Sequence, residues 1–187
     1  MRPRLFSMNY GLPTTVTIAG EEVPIRSDFR AMLDIMEAFN DPDLDDYDKT
    51  EVMLSIFYPE PERIADAQEA INQCLLFLDG GKEQPKKKSP RLVDWERDFG
   101  HIIAPVNRVL GYEARAVEYL HWWTFLAAYM EIGGDCVFSQ IVSIRDKKAR
   151  GKKLEKHERE WYRRNRNLVD LPSRYTEAEK ALEKEWT

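Results

Sequence analysis

Two runs of period-two alternation open the chain. In "TTVTIAGEEVPI", residues 14–25, Val16, Ile18, Val23 and Ile25 alternate with small or polar residues on either side of a Gly20-Glu21 turn, the pattern of a short β-hairpin. Pro24 has no N–H to give to a ladder, which places the second strand at an edge. From Ser27 the period lengthens. "SDFRAMLDIMEAFND" offers Ser27 as an N-cap, sets Phe29, Met32, Leu33, Met36 and Phe39 at helical spacing, and closes at Asp41-Pro42. Asp48, with Glu51 three residues on, opens a second helix in "DKTEVMLSIFY" that Pro59 stops. Pro61 then lies in the first turn of a third, "PERIADAQEAINQCLLFLDGG", where Ile64, Ile71, Leu75 and Leu78 keep one side and Gly80-Gly81 end it. Residues 1–80 thus form a hairpin followed by three helices.

The stretch "GGKEQPKKKSPR" has no apolar residue, so residues 81–93 form a linker or exposed loop. Beyond it, "DWERDFGHIIAPVNRVLG" puts Trp95, Phe99, Ile102 and Ile103 on one helical face, with Pro105 kinking or ending the helix. Residues 114–131 carry two apolar stripes. Leu120, Trp123, Ala127 and Met130 make one, Tyr119, Trp122, Leu126 and Tyr129 the other. A helix apolar nearly all round belongs at the centre of a bundle or at an interface. Gly133-Gly134 end it, and Asp135 caps "DCVFSQIVSIRDKK" with Val137, Ile141 and Ile144 inward. The expected core of this half is Leu120, Trp122, Trp123, Phe125, Leu126, Phe138 and Ile141. Residues 94–187 make a C-terminal helical unit, closing with basic, mostly exposed helices and a last piece in which Thr176 and Glu179 form a capping box. The expected fold is mainly α, a helical bundle with a small N-terminal β-hairpin.

Charge is distributed unevenly. Residues 1–79 hold 6 basic and 16 acidic side chains and residues 80–187 hold 22 and 17, a polarity that suits contact between copies or with a charged partner, and equally two solvated surfaces. No apolar run reaches the roughly 20 residues of a membrane span. The opening "MRPRLFSMNYGLPTTV" lacks the apolar stretch of a secretory signal, so the expected location is the cytoplasm. Cys74 and Cys136 lie in apolar surroundings, which suits reduced thiols.

Chemistry is sparse. The chain has no phosphate-loop pattern, no G-x-G-x-x-G after a strand, no G-x-S-x-G, no H-E-x-x-H and no C-x-x-C. His101, His121 and His157 are scattered without a metal-pair partner at helical spacing. His121 is the best single candidate for a catalytic group, against the alternative of a core histidine bonded to a carbonyl or a neighbouring helix. Trp122 and Trp123 point to different sides of one helix and anchor two packed surfaces rather than one stacking platform. The acidic "NDPDLDDYD" lacks the sixth-position Gly and twelfth-position Glu of a calcium loop. Residues 145–166 hold 11 basic and 4 acidic residues, which suits a solvated or protein-binding face better than nucleic acid in a chain of pI ≈ 5.4. No enzyme activity, cofactor or metal is expected.

The order of the hairpin, "SDFRAMLDIMEAF", "DWERDF", "LHWWTF" and "FSQIVSIRDKKARGKK" resembles the bacteriophage tail-module family called gene product fifteen, whose members come from tailed phages and prophages of Gram-positive bacteria. The resemblance runs from about Val16 to about Lys153. "LHWWTF" followed by "FSQIVSIRDKK" is its most specific part, and Gly100 and Pro105 depart from the uninterrupted helix of the family pattern. It implies a non-enzymatic tail-assembly chaperone in the host bacterial cytoplasm, coating the tape measure protein until major tail tube subunits replace it. No catalytic residue carries over. A partner groove would draw on Phe29, Met32, Met36 and Phe39, because methionine-rich faces adapt to varied sequences; the alternative is that these four pack on the hairpin. Two other roles compete: a tail subunit retained in the virion, and a helical nucleic-acid-binding protein using residues 145–166.

Overall fold

A computed structural model of the protein describes residues 11–82 and 90–172. The Thr176–Glu179 capping box expected from the sequence lies outside the described residues. Strand β1 (Thr15–Ile18) pairs antiparallel with β2 (Glu21–Pro24), Val16 opposite Val23. The turn is Ala19-Gly20, one residue earlier than the Gly20-Glu21 expected, and both residues have positive φ, +52° and +85°. That geometry is the one that matches strand twist in a two-residue hairpin. Ala19 is an uncommon occupant of it, and its N–H is held by Glu69 Oε2 at 2.7 Å.

Helix α1 (Phe29–Asn40) is capped by Asp28, which accepts from the Arg30 N–H, rather than by Ser27. Helix α2 (Asp46–Phe57) is capped three residues before the expected position. Asp45 is the N-cap, and Asp48 completes its capping box from inside the first turn. Pro61–Arg63 forms only a 3-10 turn, so α3 (Ala67–Leu78) begins after Ile64. Ala70, Cys74, Phe77 and Leu78 turn inward on α3, whereas Leu75 is exposed, contrary to the expected stripe.

Helix α4 (Trp95–Leu110) runs straight through Pro105, which neither ends it nor exposes itself; the helix stops at Gly111 in the left-handed conformation. Then come α5 (Trp122–Met130), α6 (Val137–Ala149), α7 (Lys156–Arg164) and α8 (Arg166–Val169). Among the described residues the architecture is therefore the expected one, mainly helical with a small N-terminal hairpin.

The largest correction concerns residues 114–121, expected as the first half of the apolar helix. They form a 3-10 turn (Ala114–Ala116) and then an extended strip. The Phe29 N–H donates to the Leu120 carbonyl at 2.9 Å, and the Trp122 N–H to the Ser27 carbonyl at 2.7 Å. Asp28 Oδ2 takes the Leu120 N–H as well. Backbone pairing with the residues just before α1 thus outcompetes helix, and helix α5 starts only once the strip ends. An apolar run by itself does not choose between the two.

One buried cluster extends from Ile18 to Phe138 and draws on both sides of residues 81–93. At its centre Phe29 of α1 stacks on Phe125 of α5 with ring centroids 4.7 Å apart. Helix α1 packs on α2, α4 and α5. Of the residues expected in the core of the second half, Leu120, Trp122, Phe125, Phe138 and Ile141 are buried, while Trp123 and Leu126 are half-buried.

A polar contact ties down the second half. Arg145 of α6 and Asp98 of α4 form an ion pair with side chains only 4% and 3% exposed. Arg145 uses all five of its N–H groups. Nε–H donates to the Val169 carbonyl, Nη1 to the Leu92 carbonyl and Asp98 Oδ2, and Nη2 to Asp98 Oδ1 and the Leu168 carbonyl. Asp98 Oδ2 also accepts the Asp94 N–H at 2.9 Å. Removing one partner leaves a buried charge unpaired, so Arg145→Met is expected to cost roughly 3–5 kcal/mol in urea unfolding, while Arg145→Met combined with Asp98→Leu recovers much of that loss. Arg145→Lys is expected to rank with Arg145→Met, because an ammonium offers three donors where five are used.

Candidate partner-binding surface

His121 and the two cysteines are engaged in local structure. His121 is buried as the N-cap of α5. Its Nδ1 accepts the Trp123 N–H at 3.0 Å, and its Nε2 lies 2.9 Å from the Pro13 carbonyl, which can only accept. The ring is therefore the neutral Nε2–H tautomer with both nitrogens occupied. It does not sit on a helix face with Val117, as the longer helix would have placed it. Burial pushes the Cys74 thiol up to about 12, where it is no nucleophile. Cys136 is half-buried rather than a core thiol; its sulfur caps α6 by accepting the Ser139 N–H.

Trp122 and Trp123 separate in packing, Trp122 stacking on Phe125 and Trp123 on Phe77. Their indoles nonetheless converge. Trp122 Nε1–H donates to the Leu78 carbonyl at 3.0 Å and Trp123 Nε1–H to the Phe77 carbonyl at 2.9 Å, satisfying consecutive acceptors at the end of α3. The chain turns there through Gly80 and Gly81, both at positive φ, and a Cβ on Gly81 would lie 2.9 Å from the Trp123 ring. Only glycine allows both the left-handed turn and this approach.

The four residues expected to face a partner divide. Phe29 and Met32 are fully buried and belong to the core; Met36 and Phe39 are half-buried. Met36 lines an open hollow of about 580 Å³ together with Leu78, Trp123, Leu126 and Met130, edged by Asp79, Lys82 and Glu131. Met130 is 73% exposed. The sequence singled out only Met36 of this surface, because Met130 looks like one more position on an apolar helix until that helix is seen to end beside it. A second cleft, about 550 Å³, opens between α1 and α4.

The basic stretch 145–166 is not one exposed helix. It breaks between α6 and α7, and Arg145, Lys147, Lys148, Arg150 and Arg166 pair with Asp98, Glu158, Asp170, Asp146 and Asp170. Half-buried Asp170 collects three donors: Lys148 Nζ at 2.5 Å, Arg166 Nε at 2.8 Å and Tyr162 Oη at 2.9 Å. Five of the eleven basic residues of the stretch are thus ion-paired; Arg145 is buried, whereas Arg150 and Arg166 stay exposed. Among the described residues no group of three or more His, Cys, Asp or Glu side chains could hold a metal, and no helix is long and apolar enough to cross a membrane.

Among the described residues a hairpin leads into eight helices, with His121, Trp122, Trp123 and the Arg145–Asp98 pair engaged in structure, which defines a mainly helical protein. The family described as Bacteriophage Gp15 protein matches residues 8–171, and the chain belongs to that family. It is a phage protein. The match includes the α4 segment with Gly100 and Pro105 and extends past Lys153 through α7 and α8. No curated protein and no solved structure matches the chain.

The Asp170 cluster carries a pH signature. Burial raises this carboxyl, but the hydrogen bonds from Lys148, Arg166 and Tyr162 outweigh burial and bring it down to about 2. A carboxyl held below its unfolded value stabilises the fold above that value and loses the contribution as pH falls through the folded one. The stability gap between the native chain and Asp170→Asn is therefore expected to be full at neutral pH and to close as pH falls from about 4 to about 2, read from melting temperatures across that range.

Proposed function

We propose that the protein is a tail-assembly chaperone of a tailed phage, a non-enzymatic factor that binds the tape measure protein in the host cytoplasm and yields it to tail tube subunits. Membership of the phage family across residues 8–171 carries this reading, joined to the tail-module role implied by the resemblance. The hollow at Met36, Trp123, Leu126 and Met130 suits it physically. A tape measure protein is a long helical partner of varied sequence. Flexible methionines flanking rigid aromatic and aliphatic walls accept an amphipathic helix without demanding one sequence. The surface is also small, so binding there stays weak enough to be displaced.

Co-expression with the tape measure protein of the same phage is expected to give a soluble complex. Met130→Glu, at an exposed position, is expected to weaken that complex about tenfold or more without lowering the melting temperature. Failure of the two proteins to associate, or abundant copies in mass spectra of purified virions, would overturn the chaperone reading.

A further inference from the structure

The second opening, between α1 and α4, has a different chemistry. Its floor is apolar and mostly aromatic: Phe29 and Leu33 from α1, Trp95 and Phe99 from α4. Asp34, Glu37 and Glu96 stand along its rim. Among the described residues none of these three carboxylates has a cationic partner. At the other end Arg30 and Arg115 are already paired, with Asp28 and Glu113, and the Arg30 guanidinium carbon lies 4.6 Å from the centre of the Phe29 ring. Aromatic faces bordered by carboxylates attract a guanidinium or ammonium through the ring quadrupole and through charge together, while its aliphatic stem covers apolar surface. The open part of the cleft is therefore suited to a cationic side chain on a long stem.

The chain also carries such side chains. Six of the eleven basic residues in 145–166 have no carboxylate partner among the described residues: Lys152, Lys153, Lys156, Arg159, Arg163 and Arg164, every one exposed. Four of them belong to α7. At about 100° per residue Lys156, Arg159, Arg163 and Arg164 share the outward side of that helix, opposite buried Glu158 and half-buried Tyr162. Contacts to α6 fix this orientation, Lys147 Nζ with Glu158 Oε1 at 2.5 Å and Lys148 Nζ with Tyr162 Oη at 2.6 Å. No residue of α7 lines the α1–α4 cleft, so the chain does not fill its own cleft with its own cationic face.

We infer that the cleft takes the cationic face of α7 from a second copy, in a head-to-tail contact that rests on no part of the tail-assembly reading. Spacing agrees. Asp34 and Glu37 lie about one turn apart on α1, as Arg159 and Arg163 do on α7, so two ion pairs form in one register while the arginine stems lie over Trp95 and Phe99. Polarity agrees as well. Residues 1–79 hold 6 basic and 16 acidic side chains and residues 80–187 hold 22 and 17, so a head-to-tail contact joins unlike halves where a head-to-head contact joins like ones. A cationic helix of another protein meets the same cleft, but a second copy brings the complement in equal number. Each copy added leaves one cleft and one cationic face free for the next, the arrangement of a heterologous interface.

Analytical ultracentrifugation of the nuclease-treated full chain tests it. At about 100 μM protein and low salt the average mass is expected to exceed that of one chain, and to return to it near ~1 M salt, where the screening length is about 3 Å. Asp34→Lys with Glu37→Lys, and separately Arg159→Glu with Arg163→Glu, are each expected to weaken association about tenfold or more. All four positions are exposed, so both variants keep the fold. An equimolar mixture of the two is expected to regain association, because the intact face of each meets its intact complement on the other. Glu21→Lys with Glu22→Lys makes the same change of charge on the hairpin, outside the cleft, and is expected to alter association by less than about twofold. A chain that stays single at low salt overturns the inference. So does association that survives either reversal, a mixture that fails to regain it, or an equal loss from the hairpin variant, which assigns the effect to net charge.

Discussion

The Arg145–Asp98 pair is the constraint from which the second half of the structure takes its shape. Two charges removed from water cost several kcal/mol each, and their attraction offsets that cost only with near-complete hydrogen bonding. Here the condition is met. Five guanidinium N–H groups meet five acceptors, and the carboxylate takes the Asp94 N–H besides. The acceptors come from three separate stretches of chain: α4, the residue Leu92 ahead of it, and the Leu168 and Val169 carbonyls at the end of α8. Apolar packing would tolerate small shifts among these pieces, whereas a planar fork satisfied at every donor tolerates few. The segment entering α4 and the segment leaving α8 are therefore brought side by side.

A similar logic places the aromatic stretch around residues 119–130. Its hydrogen-bonding atoms serve the backbone. His121 caps α5, Trp122 and Trp123 cap the carbonyls of α3, and Ser27 Oγ meets Tyr119 Oη at 2.7 Å. Apart from the local His121 cap, each contact spans dozens of residues and binds the N-terminal part of the chain to the later helices. A histidine with both ring nitrogens bonded to main chain has no free nitrogen for acid–base exchange, and indoles aimed at helix carbonyls present little flat face to a base or sugar. The richest cluster of functional side chains in the sequence is accordingly the most thoroughly structural part of the fold.

This distribution explains what the sequence disclosed. Period and caps located the hairpin and every long helix, because Val16, Ile18, Phe29, Met32, Ile102 and Ile141 mark one buried face each, and burial of one face is a local property of the pattern. Boundaries depended on competition that pattern does not encode. Asp45, Asp46 and Asp48 are all plausible caps, and three-dimensional fit chooses among them. Residues 117–121 are apolar enough for helix, yet their backbone finds partners at Ser27 and Phe29, more than ninety positions away. The same distance hid the candidate surface: Met36 and Met130 have no relation in sequence and become walls of one hollow only after α1 packs on α5. Arg145 looked like the first of many exposed basic residues, since nothing in "IRDKKARGKK" distinguishes a buried arginine from its solvated neighbours.

Helix α1 stands between the two openings. Met36 turns toward one, Leu33 and Glu37 toward the other, and Phe29, Met32 and Ile35 lock the side between them into the core. A wall anchored by three fully buried side chains, with its N-terminus fixed by Asp28 and by the bridge to Leu120 and Trp122, has little freedom to tilt when either side is filled. Filling one opening therefore requires no movement of α1 and leaves the other in place. The two openings also differ in chemistry. The hollow beside Met36 is walled by the adaptable apolar side chains of Met36, Leu126 and Met130 with the Trp123 ring, whereas the α1–α4 cleft adds a charged rim, Asp34, Glu37 and Glu96 along it and Arg30 and Arg115 at the other end.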